Sequence, residues 1–185
     1  MMTEISLNIL DVAQNSISAG AKLIEISVIA DIKKDILTVE IKDNGCGMDD
    51  EKLKNVVDPF FTTRTTRKIG LGIPFLKLAA ENTGGSFNIT SQLGLGTTVT
   101  AVFGLSHIDR MPLGDINFTI HSLITLNPSI DFFYLYKIDE RCFTLDTREF
   151  REILGDIPFN SPEVSAYIND YLNENKQVVD SGTVI

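Results

Sequence analysis

Apolar residues recur at helical spacing near the start of the chain. Ile5, Ile9, Val12, Ala13 and Ser16 form one stripe, Leu10 and Ile17 widen it, and a helix is predicted over 4–19, ended by Gly20. The pattern then changes to strict alternation. Ile24, Ile26 and Val28 alternate with Glu25 and Ser27 over 23–31, and Leu37, Val39 and Ile41 alternate with Thr38, Glu40 and Lys42 over 36–43. Lys33-Lys34-Asp35 joins these strands as a hairpin. Residues 49–57 predict a short helix with Asp49 and Asp50 at its positive end, stopped by Asp58-Pro59-Phe60-Phe61. A further helix over 73–83 carries Leu76, Ala79 and Ala80 and closes at Gly84-Gly85. Ser86–Ser91 and Thr97–Gly104 then make a second hairpin around 92–96. The order α-β-β-α-α-β-β over 1–104 predicts an α+β fold, an α/β sandwich with helices on one face of a mixed sheet.

Past this domain, 105–112 reads as a linker and 113–185 as a small acidic α+β unit of unknown role. Helices are expected at 114–126, 147–154 and 162–174, and strands at 131–138 and 142–146. Phe132, Phe133, Tyr134 and Tyr136 suit a core better than a binding platform. The tail after Lys176 is expected to fray.

Charge narrows the partners. Residues 1–104 hold 10 Lys/Arg and 12 Asp/Glu, and 105–185 hold 6 and 13, within a net charge of −9. Such an acidic chain is poorly suited to nucleic acid or an anionic membrane surface. No apolar run is long enough to span a bilayer, and Met1-Met2-Thr3-Glu4 lacks the start of a signal peptide. Cys46 and Cys142 show no metal-ligand spacing. A reducing, cytoplasmic setting is the expectation.

Three stretches carry chemistry. Asn8, Asp11 and Asn15 fall at i, i+3 and i+7 on the first helix, which is either a solvated face or a site for a metal and water. Asp43-Asn44-Gly45-Cys46-Gly47-Met48 ends a strand in a carboxylate followed by two glycines; this is ordinary turn chemistry, or a place where another molecule meets the backbone. Thr62 to Lys68 is polar and basic and runs through Gly70-Leu71-Gly72 into a helix, which is a flexible hinge or an anion site.

In order, these stretches resemble the ATP-binding domain shared by sensor histidine kinases, type II topoisomerases, Hsp90-type chaperones and mismatch-repair ATPases. The resemblance covers residues 5–104. Asp11 to Ile17 resembles the asparagine box, Asp43 to Met48 the first glycine box, Asp58 to Arg64 the phenylalanine box and Gly70 to Ile73 the second glycine box; Gly94-Leu95-Gly96-Thr97-Thr98 resembles the closing motif. The later boxes look closest to histidine kinases. The resemblance implies that ATP and Mg²⁺ bind here. Asp43 would accept from the adenine amino group, Gly45 and Gly47 would belong to the adenine-binding glycine box, with Gly47 letting the base lie on the backbone, and Thr97 would act nearby through water. Asn15 would supply an oxygen to Mg²⁺, and Asp11 would handle water. Arg64, Arg67 and Lys68, with the Gly70, Leu71 and Gly72 backbone, would meet the phosphates.

Departures from the family pattern matter. Asp11 stands where the family usually has the longer Glu, so turnover is expected to be slow. Lys68 replaces a glycine, and the lid segment is very short. His107 and His121 follow the ATP domain, and neither lies on a long helical hairpin, so both read as surface or packed side chains. The expected function is a protein kinase acting in trans on a partner that carries the phosphoacceptor. The alternatives are an ATP-responsive binding switch and a slow ATP hydrolase, and a homodimer is possible.

Overall fold

A computed structural model describes residues 3–57, 72–155, 157–183 and 185. The chain runs α1 (Ile5–Ser18), β1 (Leu23–Asp31), β2 (Ile36–Asp43), α2 (Asp50–Asn55), α3 (Gly72–Glu81), β3 (Ser86–Gln92), β4 (Gly96–Gly104), α4 (Ile116–Leu126), β5 (Asp131–Ile138), β6 (Arg141–Asp146), α5 (Thr147–Leu154) and α6 (Pro162–Asp180). The phenylalanine box and Arg64, Arg67, Lys68, Gly70 and Leu71 lie outside the described residues.

Six strands form one mixed sheet in the order β3-β4-β2-β1-β5-β6. The two expected hairpins are present, and β2 pairs antiparallel with β4, so the first four strands are joined through their second members. Alternation then decides what faces the helices. Ile24, Ile26, Val28, Leu37, Val39, Ile41, Val99, Ala101 and Phe103 are all at most 2% exposed and lie on one face. Glu25, Lys42 and Glu40 lie on the other, where Lys42 pairs with Glu25 at 2.8 Å and Thr100 donates to Glu40 at 3.1 Å. The mixed α+β sandwich expected from the pattern is the fold observed.

The helices and strands after residue 113 do not stand apart, because β5 and β6 continue the same sheet. β5 lies parallel to β1, with Ile24 beside Phe132 and Val28 beside Tyr136, and β6 closes the edge. Phe132, Tyr134 and Tyr136 enter the common core, while Phe133, one residue out of phase, faces the other side. The 105–112 connection is irregular but tied at both ends. Leu105 N donates to Asp35 O at 2.9 Å, and Ile5 N donates to Pro112 O at 3.0 Å. A fixed path of this kind lets the parallel strand return to the sheet beside β1.

The expectation of a frayed tail is corrected. α6 continues to Asp180 because Val179 is 2% exposed and because Asp180 is bonded three ways. Its carboxylate accepts from Tyr136 Oη at 2.7 Å and from Lys176 Nζ at 2.5 Å, and its carbonyl accepts from Arg141 at 3.3 Å. Burial, and the Asp180 carboxylate beside it, hold the Tyr136 phenol far above its ordinary pKa.

One sheet with one core implies one cooperative transition. All four tyrosines lie at 134–171, so tyrosine fluorescence reports only the C-terminal half while far-UV circular dichroism reports the whole chain. The two urea curves are expected to coincide, and Phe132→Ala should shift both together by about 3–5 kcal/mol. Two separated transitions would show that β5 and β6 fold independently.

Candidate functional site

Asp43 occupies the last position of β2 and continues the inward parity of Leu37, Val39 and Ile41. Its register partner on β4 is Thr97, whose partner on β3 is Ser91. A row of three polar side chains therefore crosses three strands at one end of the sheet, on the face that elsewhere buries hydrocarbon. α1 lies above this row. Ser16 Oγ donates to Asp43 Oδ2 at 2.6 Å, and Gly45 N donates to Oδ1 at 2.8 Å.

The loop after Asp43 is held by its backbone. Cys46 N donates to Ala19 O at 2.9 Å, Gly94 N donates to Cys46 O at 2.8 Å, and Met48 N donates to Ser91 Oγ at 2.8 Å. Asn44 Oδ1 accepts from Lys22 N and Leu23 N at 2.8 and 2.9 Å. The loop thus bridges the α1–β1 corner and the β3–β4 turn. Gly47 has φ +64°, and a Cβ there would run into the Gln92 carbonyl, so both backbone conformation and space require glycine. Asp49 caps α2, accepting from Lys52 N at 2.8 Å.

These elements enclose an open cavity of about 320 Å³. Val12, Met48, Val56, Ile73 and Val99 supply an apolar lining. Asp43 and Thr97 mark one part of the wall and Asp11 and Asn15, four apart on α1, another. The first residue of α3 meets Asp11 so closely that a Cβ on Gly72 would collide with its carboxylate. The N-terminus of a ten-residue helix therefore abuts the cavity beside Asp11, where its dipole favours negative charge. Among the described lining residues, Lys52 is the one cation.

The structure thus brings together Asp11, Asn15, Asp43, Gly47, Gly72 and Thr97, with Gly45 bonded to Asp43 at the edge. It separates Asn8 from the polar stripe. Asn8 is fully buried, and its Nδ2 donates to Glu4 O at 3.1 Å. Ser16, Ser91 and Lys52 were not legible as site residues. Ser16 sits in the apolar stripe by spacing, and Ser91 and Lys52 belong to no motif. Ser91 could have been found from parity and register, since it continues Phe87 and Ile89 toward Thr97. His107 is exposed beside Asp109, and His121 Nε2 lies 2.9 Å from Ser165 Oγ; neither lines the cavity.

Comparison with known proteins defines the class. The family model described as histidine kinase-, DNA gyrase B-, and HSP90-like ATPase matches residues 1–107. The chain belongs to this family, and the cavity lies within its ATP-binding, histidine-kinase-like domain. A putative sensor protein of Shewanella frigidimarina is 34% identical over 107 residues, 57% of this chain and 16% of its own length. The signal transduction histidine-protein kinase AtoS of Escherichia coli is 32% identical over 107 residues, 57% of this chain and 17% of its own. The chain therefore spans only a small part of these relatives. A solved N-terminal domain of a DNA repair protein shares the fold with a TM-score of 0.56 at 16% identity, over 96% of this chain and 57% of that one. That likeness extends past residue 107 and so takes in β5 and β6. Among the described residues no helix is long and apolar enough to cross a membrane.

Gly47→Ala is expected to cost about 1–3 kcal/mol through the left-handed backbone and the Gln92 contact. Urea denaturation measures it. An unchanged midpoint would mean that the loop does not need the observed conformation.

Proposed function

We propose that this chain binds Mg-ATP in the 320 Å³ cavity and acts as a histidine-kinase-like protein kinase, transferring the γ-phosphoryl group to a side chain on a partner. The observation that carries the reading is the layout of one cavity. An acceptor-bearing, apolar part at Asp43, Thr97 and Val99 suits a base, and a second part holds Asp11 and Asn15 beside the N-terminus of α3. Asp43 takes the adenine amino hydrogen, because an ionised carboxylate only accepts. Met48, Ile73 and Val99 exclude water from the base.

Asn15 offers a carboxamide oxygen for Mg²⁺, and Asp11 lies one helical turn away. Among the described residues no cluster of three His, Cys, Asp or Glu forms a cage. Mg²⁺ would be held here by one or two protein oxygens, with water and phosphate as its other ligands. When bound, it neutralises phosphate charge. The α3 N-terminus favours phosphate beside it, and Arg64, Arg67, Lys68, Gly70 and Leu71 are proposed to complete the anion site.

A phosphoryl acceptor must sit in line with the γ-phosphate at about 3–3.5 Å. Neither histidine lines the cavity, which favours an acceptor supplied by a partner. In transfer, the acceptor's nucleophilic atom bonds to the γ-phosphorus, the bond to the bridging oxygen breaks, and ADP leaves with that electron pair. Asp11 favours a second reading. Its carboxylate is one methylene shorter than Glu, so water is held less well for hydrolysis. Slow turnover of this kind suits a switch whose bound nucleotide sets partner affinity.

Asp43→Asn should weaken ATP binding by about 1.5–3 kcal/mol, roughly ten- to a hundredfold in Kd. Calorimetry with an unchanged Kd would remove Asp43 from the base site. Asn15→Ala should abolish the magnesium dependence of binding, whereas Asp11→Asn should bind ATP and lose turnover. Labelled ATP incubated with the chain and candidate partners then tests the function. Acid-labile, base-stable label on a partner supports the kinase, and nucleotide-dependent binding without transfer supports the switch. Label of that kind on His107 or His121 of the chain alone would contradict the proposal.

A further inference from the structure

The hydrogen-bond directions around the Asp43–Thr97 wall can be followed atom by atom. Ser91 Oγ makes three contacts: with Met48 N at 2.8 Å, with Gly96 O at 2.9 Å and with Thr97 Oγ1 at 2.9 Å. A serine hydroxyl has one proton and two lone pairs. The Met48 N–H can only donate, so it takes one lone pair. The Gly96 carbonyl can only accept, so it takes the single proton. The Thr97 hydroxyl is left to donate into the remaining lone pair. Its own proton is therefore spent on Ser91, and Thr97 turns only lone pairs toward the cavity.

Asp43 is fixed in a parallel way. Ser16 donates to Oδ2 at 2.6 Å and Gly45 N to Oδ1 at 2.8 Å, so each oxygen is anchored by one donor and retains acceptor capacity. Ser16 is 4% exposed and sits on α1, so this bond also ties the helix layer to the strand end. Asp43 and Thr97 are register partners on adjacent strands. Two neighbouring groups therefore present lone pairs, and no hydroxyl proton among them is free to rotate inward.

We propose that Ser16 and Ser91 are positioning residues that make this wall acceptor-only, and that they set selectivity for a 6-amino purine over a 6-oxo purine. The proposal rests on the reading of this cavity as the nucleotide's base site. An amino group has two N–H bonds to offer adjacent acceptors. A 6-oxo purine offers the wall one N–H, at its ring nitrogen, and turns its keto oxygen onto lone pairs; the cost of that mismatch is what disfavours it. Without Ser91, the Thr97 hydroxyl is free to swing its proton toward a keto oxygen and the exclusion weakens. Without Ser16, the carboxylate loses one of the two bonds that fix its rotamer and meets the amino group less well.

The test compares ATP with inosine triphosphate, which differs only in the oxo group and ring proton at the six-position edge. Calorimetry gives Kd for both on the wild type, Ser91→Ala, Ser91→Thr, Ser16→Ala and Ser16→Thr, with urea midpoints to establish folding. In Ser91→Ala the ratio of the two Kd values is expected to fall about tenfold, the worth of one neutral hydrogen bond at that edge. Ser91→Thr keeps the hydroxyl and should restore the ratio. In Ser16→Ala the Kd for ATP should rise about tenfold with little change for inosine triphosphate, and Ser16→Thr should recover it. If Ser91→Ala fails to fold, the Ser16 pair decides the matter. Folded alanine variants that keep the wild-type ratio overturn the proposal while leaving the base site in place. A wild type that binds neither nucleotide overturns the base site, and the proposal with it.

Discussion

The two-residue period of the sheet sets where polar chemistry can enter this core. Leu37, Val39 and Ile41 point toward the helices, and the same parity carries Asp43 inward at the strand end, where the hydrocarbon layer stops. A carboxylate in that position is costly unless it is bonded. Ser16 from α1 and the Gly45 amide supply the bonds. Moving the β2 register by one residue would turn Asp43 to the outer face and Glu40 and Lys42 inward, and would take the carboxylate out of the cavity wall. The site therefore depends on the pairing of β2 with both β1 and β4, which fixes that register from two sides.

The loop from Asn44 to Met48 follows from the same constraint. With Asp43 turned inward, the chain must leave the sheet between the α1–β1 corner and the β3–β4 turn. Every bond it makes there uses backbone or a short polar side chain. Gly47 is needed because the Gln92 carbonyl occupies the space a side chain would take. At the other end of the cavity the first residue of α3 lies against the Asp11 carboxylate. On the proposed reading, base recognition is built on strands and a pinned loop, and the phosphate end on helices.

Much of this was legible in the sequence. Alternation placed the first four strands, helical spacing placed α1, and Asp43 was found because a strand ended in a carboxylate with two glycines behind it. Asn8 was misplaced because i, i+3 spacing groups residues on a helix side without telling which side is buried; the packing of α1 decided that. Ser16 was hidden because it falls in the apolar stripe, and its partner lies 27 positions away. The continuation of the sheet by β5 was also hidden. A parallel pair has no turn to announce it, and Phe132, Tyr134 and Tyr136 read equally well as the core of a separate unit.

The central claim is that the end of β2 recognises the base of an adenine nucleotide. A crystal structure of the chain with magnesium and a non-hydrolysable ATP analogue tests it most directly. The account predicts the adenine amino nitrogen within hydrogen-bond distance of an Asp43 carboxylate oxygen, the ring against Met48, Ile73 and Val99, and the phosphates beside Asn15 and the start of α3. Nucleotide bound elsewhere, or with its base turned away from Asp43, would contradict it.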